Sequence, residues 1–146
     1  MKLDAKILTL ALILTSTAGA ALAHAGATGV VKQRMDGFKA AKQSMKLLKT
    51  AVRSEDFATI AMESKGLEQW FSRLEEQFPA GSNPKPSEAL DLIWVEFDRF
   101  SSISQDATNA SRALLRAADE RDTALAKEAF SELAASCKAC HDDYRE

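Results

Sequence analysis

The chain has 146 residues, with 19 Lys and Arg against 21 Asp and Glu and a formal net charge of −2. A chain of this size without a second low-complexity or linker-rich region reads as one domain. Its mild acidity gives no reason to expect nucleic acid or an anionic membrane as a partner.

The first residues read as a targeting segment. Lys2 and Lys6 form a short positive region, Ile7 to Leu14 is an apolar run, and Ala18 to Ala23 supplies the small residues of a signal-peptidase site. The run is too short to span a bilayer, which takes about 20 residues. Cleavage is expected after Ala23, with Ala25 as the alternative. Residues 1–23 are then a signal peptide and 24–146 an exported domain, destined for the bacterial periplasm. Losing Lys2, Lys6 and Asp4 brings the formal charge of the mature chain to −3.

The remainder is rich in Ala, Leu, Lys, Glu and Arg and reads as helix throughout. A first helix is predicted over 28–53, with a stripe at Val31, Arg34, Phe38, Ala41, Met45, Leu48 and Val52. The spacing alternates three and four, as an inward seam requires. Gly37 lies inside this helix at a cost of about 1 kcal/mol against alanine. Close approach of a macrocycle or a partner helix would account for it, and so would a tolerated surface glycine. Ser54 is placed to cap a second helix over 55–78, whose seam is Phe57, Ile60, Ser64, Leu67, Phe71, Leu74 and Phe78.

All three prolines, Pro79, Pro84 and Pro86, then fall in one stretch with Gly81, Ser82 and Asn83, the strong break of the sequence. Ser87 is expected to cap a third helix over 88–119, with a seam at Leu90, Ile93, Phe97, Phe100, Ser104, Ala107, Ser111 and Leu114. Asp122 is expected to cap the fourth, whose seam is Ala126, Phe130, Leu133, Cys137, Cys140 and Tyr144. Four amphipathic helices with short connections predict an all-α fold, an antiparallel up-down-up-down four-helix bundle. Leu47 and Trp70 suggest an exposed apolar strip on the first two helices. In this topology the end of the fourth helix lies beside the start of the first and the proline-rich loop.

Two cysteines in an exported chain usually form a structural disulfide. Cys137 and Cys140 are only three residues apart, a loop too short for a bridge to stabilise much. Cys137-Lys138-Ala139-Cys140-His141 is instead the C-x-x-C-H attachment signature of haem c. Positions i, i+3 and i+4 share one helix face. Two thiols there can add to the two vinyl groups of one porphyrin edge while the imidazole of His141 reaches the iron. A dithiol redox pair would want a helix N-terminus, whereas this pair lies near a C-terminus, where the dipole opposes a thiolate. A zinc site would need a fourth ligand, and the only other histidine is His24.

The opposite side of the iron decides the function. A second histidine is nearly excluded, and the methionines of the mature chain are Met35, Met45 and Met62. Arg34 is the one charged residue on an apolar inward stripe, and a guanidinium there calls for an anionic partner such as a haem propionate. The other reading has it snorkel to water at the mouth of the bundle. One turn on, Phe38 points the same way, at a depth suited to covering the iron, although an ordinary core aromatic would look the same. Met35 is rotated about 100° from Arg34, and Met45 lies two turns deeper than Phe38. Arg145, four residues after His141, either shields the imidazole or complements a helix C-terminus. Trp94 and Phe97 read as haem-edge residues or bundle core, and Ser82 is a candidate for a propionate or edge contact. Lys138, Asp142 and Asp143 read as a solvated rim.

These residues resemble the cytochrome c′ family over essentially the whole mature chain. The most specific part is the run from Cys137 through His141 to Arg145. Val30-Val31-Lys32-Gln33-Arg34 followed by Phe38 looks like the family's first helix, and Phe78-Pro79-Ala80-Gly81-Ser82 with the later Trp94 resembles its inter-helix loop and third helix. The resemblance implies a left-handed four-helix bundle, usually a homodimer, carrying one covalent, five-coordinate, high-spin haem c. It implies that Cys137 and Cys140 attach the haem, that His141 is the axial ligand and that Arg34 contacts a propionate. It further places Phe38 over the distal face and Arg145 near the proximal histidine. Members bind nitric oxide and carbon monoxide while discriminating against oxygen, and are discussed as nitric oxide traps and as electron carriers. Low-spin relatives have methionine where Phe38 stands here. The expected function is binding of a small diatomic gas. The alternative is a periplasmic electron carrier, either five-coordinate or low-spin with a methionine as sixth ligand, with an unidentified redox partner. An enzyme is not expected, because no acid–base pair can be identified near the haem and the distal histidine of a peroxidase is missing.

Overall fold

The structure is a computed structural model that describes residues 26–146. The expected signal peptide, both cleavage positions and His24 lie outside the described residues. Four long helices form the bundle: α1 (Gly29–Ser54), α2 (Phe57–Phe71), α4 (Phe97–Glu120) and α5 (Thr123–Tyr144), with a single turn, α3 (Leu92–Val95), ahead of α4. A short 3-10 turn, Leu74–Gln77, follows α2. No described helix is long and apolar enough to cross a membrane.

The tight corners have local causes. Glu55 and Arg121 take left-handed φ values of 57° and 53°, and each returns its N–H to a carbonyl of the preceding helix. Asp56 and Asp122 then open the next helices, their carboxylates accepting from Thr59 N at 3.1 Å and Leu125 N at 3.0 Å. Asp122 caps as expected. Ser54 does not: its hydroxyl donates back to the Thr50 and Ala51 carbonyls, and Asp56 takes the capping position because the chain turns at Glu55.

The seams meet in one core, with Leu48, Ile60, Leu67, Phe100, Leu114 and Leu133 essentially inaccessible. Helix α4 packs broadly on α2 and α5, whereas α1 packs on α2 and only lightly on α5. Buried hydroxyls in α4 are satisfied locally: Ser104 donates to the Phe71 carbonyl, Thr108 to that of Ser104 and Ser111 to that of Ala107.

Three expectations are corrected. The second helix ends at Phe71, not 78: Arg73 leaves the helical region at φ −121° and ψ 15°, and after the 3-10 turn Phe78, which precedes Pro79, does so again at φ −125° and ψ 52°. The third does not begin at 88. Residues 88–90 run extended beside the C-terminus, with Leu90 N donating to the Tyr144 carbonyl and Glu146 N to that of Glu88. A break at Glu96 then separates α3 from α4, so Ser87 caps no helix. Trp70, expected on an exposed strip, is half-buried against the core, while Leu47 and Met62 are exposed. Its six-membered ring lies where a Cβ on Gly37 would be, which accounts for that helical glycine by close approach of α2.

Helix α5 is anchored one turn before Cys137 by Leu133, which is fully buried. Leu133→Ala is expected to lower the unfolding free energy by about 3 kcal/mol in equilibrium urea denaturation, with no loss of helical signal in native buffer.

Candidate haem site

One end of the bundle gathers the candidate residues. Arg34 is only 3% exposed although it stands in the first turns of α1. Its guanidinium donates to Ser87 Oγ at 2.6 Å, Ser82 Oγ at 3.1 Å and the Gln77 carbonyl at 3.4 Å, and lies 4.8 Å from the centroid of the Phe78 ring. It therefore does not snorkel. Among the described residues no carboxylate forms an ion pair with it. Burial lowers its pKa, but a guanidinium stays charged at any physiological pH.

Phe38, one turn further into α1, is half-buried and packs edge-on to Trp70, with ring centroids 5.5 Å apart, and to Phe78 at 6.4 Å. Phe78 also meets Trp94 at 6.3 Å and Phe100 at 4.8 Å, and Phe100 meets Tyr144 at 5.7 Å. A chain of rings thus links α1 to the last turn of α5. Trp94 fixes the proline-rich loop by donating its Nε1 to the carbonyls of Phe78 and Pro79.

On α5, Cys137 and Cys140 are half-buried free thiols packed against the core. Burial pushes both thiols up, that of Cys140 to about 11 with help from Cys137 and Asp143. Such thiols stay protonated at neutral pH, which argues against a reactive dithiol. The described residues hold no group of three or more His, Cys, Asp or Glu side chains placed around one metal ion. Partial desolvation of the ring, then the charge of Arg145, hold His141 below its usual range against the opposing pull of Asp142. The shift favours the neutral imidazole, the form that can coordinate iron.

Arg145 is not a further helical turn beyond His141. It leaves α5 in an extended conformation, and its Nε and terminal nitrogen donate to one oxygen of Glu88 at 2.8 and 2.5 Å. Lys138 pairs with Asp142, and Asp143 with Arg99, on the rim.

The structure thus brings Arg34, Phe38, Ser82 and Trp94 into one cluster around Phe78, at the bundle end that also holds Cys137, Cys140, His141 and Arg145. Phe97 packs on Phe100 beside them. Sequence reasoning missed Ser87 and Phe78 as site residues, because their roles depend on the loop's path. Arg34 itself was the available signal: a buried cation needs acceptors, and the hydroxyls of a nearby polar loop are the obvious source.

These features fit a haem. The attachment cysteines share the inward face of α5, His141 follows Cys140 directly on the same helix, and a buried cation with no carboxylate partner among the described residues sits at the same end. Fold and site together define a class: a c-type cytochrome built on a four-helix bundle. The comparisons narrow it. The family model described as Cytochrome C′ matches residues 29–145. A cytochrome c′ of Pararhodospirillum photometricum is 29% identical over 119 residues, covering 80% of this chain and 95% of the relative. A cytochrome c-554 of Cereibacter sphaeroides is 38% identical over 74 residues, covering 49% and 55%. Among solved structures, ferric cytochrome c prime from Alcaligenes xylosoxidans has a TM-score of 0.72 at 27% identity, covering 80% of this chain and 93% of that one. Cytochrome c prime from Shewanella frigidimarina has a TM-score of 0.74 at 26% identity, covering 80% and 94%. One related structure is the nitrosyl complex of an Alcaligenes xylosoxidans variant. The chain belongs to the cytochrome c′ family, whose cofactor is covalently attached haem c.

Replacing Arg34 strands its acceptors. Arg34→Met is expected to reduce stability by about 2 kcal/mol in urea unfolding, with Arg34→Lys restoring only part because an ammonium cannot serve three acceptors in a planar fork.

Proposed function

We propose that the chain is an exported, periplasmic haem protein that takes a small diatomic gas, nitric oxide or carbon monoxide, on the distal side of its haem, as a binding protein rather than an enzyme. The observation that carries this reading is the apolar wall made by Phe38 with Phe78 and Trp70, one helical turn from the buried Arg34. When bound, haem c supplies an iron centre able to coordinate a small diatomic molecule. Cys137 and Cys140 would hold the macrocycle, and His141 would supply an imidazole ligand to the iron. Arg34, steadied by Ser82 and Ser87, would neutralise a propionate, and Trp94 would line the haem edge. Phe38 and Phe78 offer no hydrogen-bond donor, the group that a site selective for dioxygen would need. Arg145, held by Glu88, lies close enough to His141 to act on its charge. The nitrosyl complex known for a relative supports the same ligand class here. A homodimer through α1 and α2 is part of the proposal, supported by the exposed Leu47 and Met62.

The rival reading, a periplasmic electron carrier with a methionine sixth ligand, draws on the partial likeness to a cytochrome c-554. Met62 is 65% exposed, which leaves Met35 and Met45 as candidate ligands.

Absorption and EPR spectra of the purified ferric and ferrous protein, with and without carbon monoxide, separate the two. High-spin signals that shift on adding carbon monoxide are expected; a low-spin spectrum indifferent to the gas would make the protein an electron carrier. Phe38→Ala is expected to speed carbon monoxide association by roughly tenfold, and an unchanged rate would remove Phe38 from the distal side.

A further inference from the structure

We infer that Trp70 is a positioning residue that fixes Phe38, and through it sets how fast a diatomic ligand reaches the haem; this rests on the assignment of Phe38 to the distal side. Trp70 belongs to α2, which the site does not otherwise use. A Cβ on Gly37 would overlap Cη2, Cζ3 and Cζ2 of its indole, so the six-membered ring lies directly on the α1 backbone. Only glycine permits that approach. The residue after Gly37 is Phe38, whose ring meets the indole nearly at right angles, 84°, in an edge-to-face contact. Phe78 closes on Phe38 from another direction at 61° and is itself pinned by Arg34, Phe100 and Trp94. A half-buried phenyl ring free on one side would sample other rotamers; between two aromatic walls it is held in one.

The contact carries two local penalties. A glycine stands inside α1, and Trp70 Nε1 is buried without a hydrogen-bond partner among the described residues. Local rules are broken together where a particular geometry is required. The geometry obtained here is that of the ring next to Gly37.

The test is carbon monoxide association with the ferrous holoprotein, with the ferric EPR spectrum as a second readout, in Trp70→Ala, Phe38→Ala, the double variant and Gly37→Ala. Trp70→Ala is expected to speed association by roughly tenfold and to broaden the EPR signal. In the Phe38→Ala background it is expected to add nothing, since a residue acting through another has no effect once that other is gone. Gly37→Ala keeps both aromatic rings and is expected to change rate and spectrum beside Trp70, but neither in the Trp70→Ala background. It carries the test if Trp70→Ala does not fold. A wild-type rate in Trp70→Ala, with Phe38→Ala accelerated, would sink the role of Trp70 and leave Phe38 in place. Independent, additive effects of the two variants would also overturn it. An unchanged Phe38→Ala rate would remove both the inference and the distal reading beneath it.

Discussion

A guanidinium buried at the end of a helical bundle is the constraint around which the rest is arranged. Arg34 gives up its hydration and receives two hydroxyls, one carbonyl and the face of a phenyl ring. These partners take three hydrogen bonds from it and, among the described residues, leave its charge without a carboxylate. Burial of an unpaired cation is unfavourable, so the site is poised for an anion. The propionate of a haem held by α5 is the group of that chemistry that the family supplies. The same cation explains the proline-rich loop, because Ser82 and Ser87 reach it only if the chain from 79 to 91 folds over the bundle end instead of continuing as helix.

The loop is held from both sides. Trp94 secures its start through the Phe78 and Pro79 carbonyls, and Asn83 crosses it to the Ala89 carbonyl and Asp91. Its far end pairs with residues 144–146, reinforced by Glu88 with Arg145 and Lys85 with Glu146. Those ion pairs are exposed and contribute little stability by themselves. Their effect is positional: the segment that follows the attachment cysteines is tied to the segment that holds Arg34, so the two sides of the cofactor site are fixed to each other.

What occupies position 38 separates the two functions open to such a bundle. A thioether there would be a ligand, whereas a phenyl ring can only exclude or admit. Trp70 and Phe78 give that ring a definite place, and on the proposed assignment of Phe38 to the distal side, access to the iron becomes a matter of how firmly the ring is held. The inferred role of Trp70 would bring α2 into the chemistry in this way.

The chemistry of α5 and the helical class were legible in the sequence because both are local. The spacing of Cys137, Cys140 and His141 defines one helix face wherever the helix sits, and alternation of three and four along each segment defines an inward seam. Arg34 stood out for the same reason, as one charge on an apolar stripe, but whether it stays inside or reaches for water was left open until the structure buried it. The tertiary structure alone decided what those residues meet. The second helix stops at Phe71 because the chain leaves the helical region at Arg73, and the third starts late because residues 88–90 pair with the C-terminus. The role of Ser87 follows from that loop path, not from its neighbours in sequence. Gly37 could be either a surface residue or a contact until α2 placed Trp70 upon it, because the reason for a glycine lies in what approaches it, and that is a partner distant along the chain.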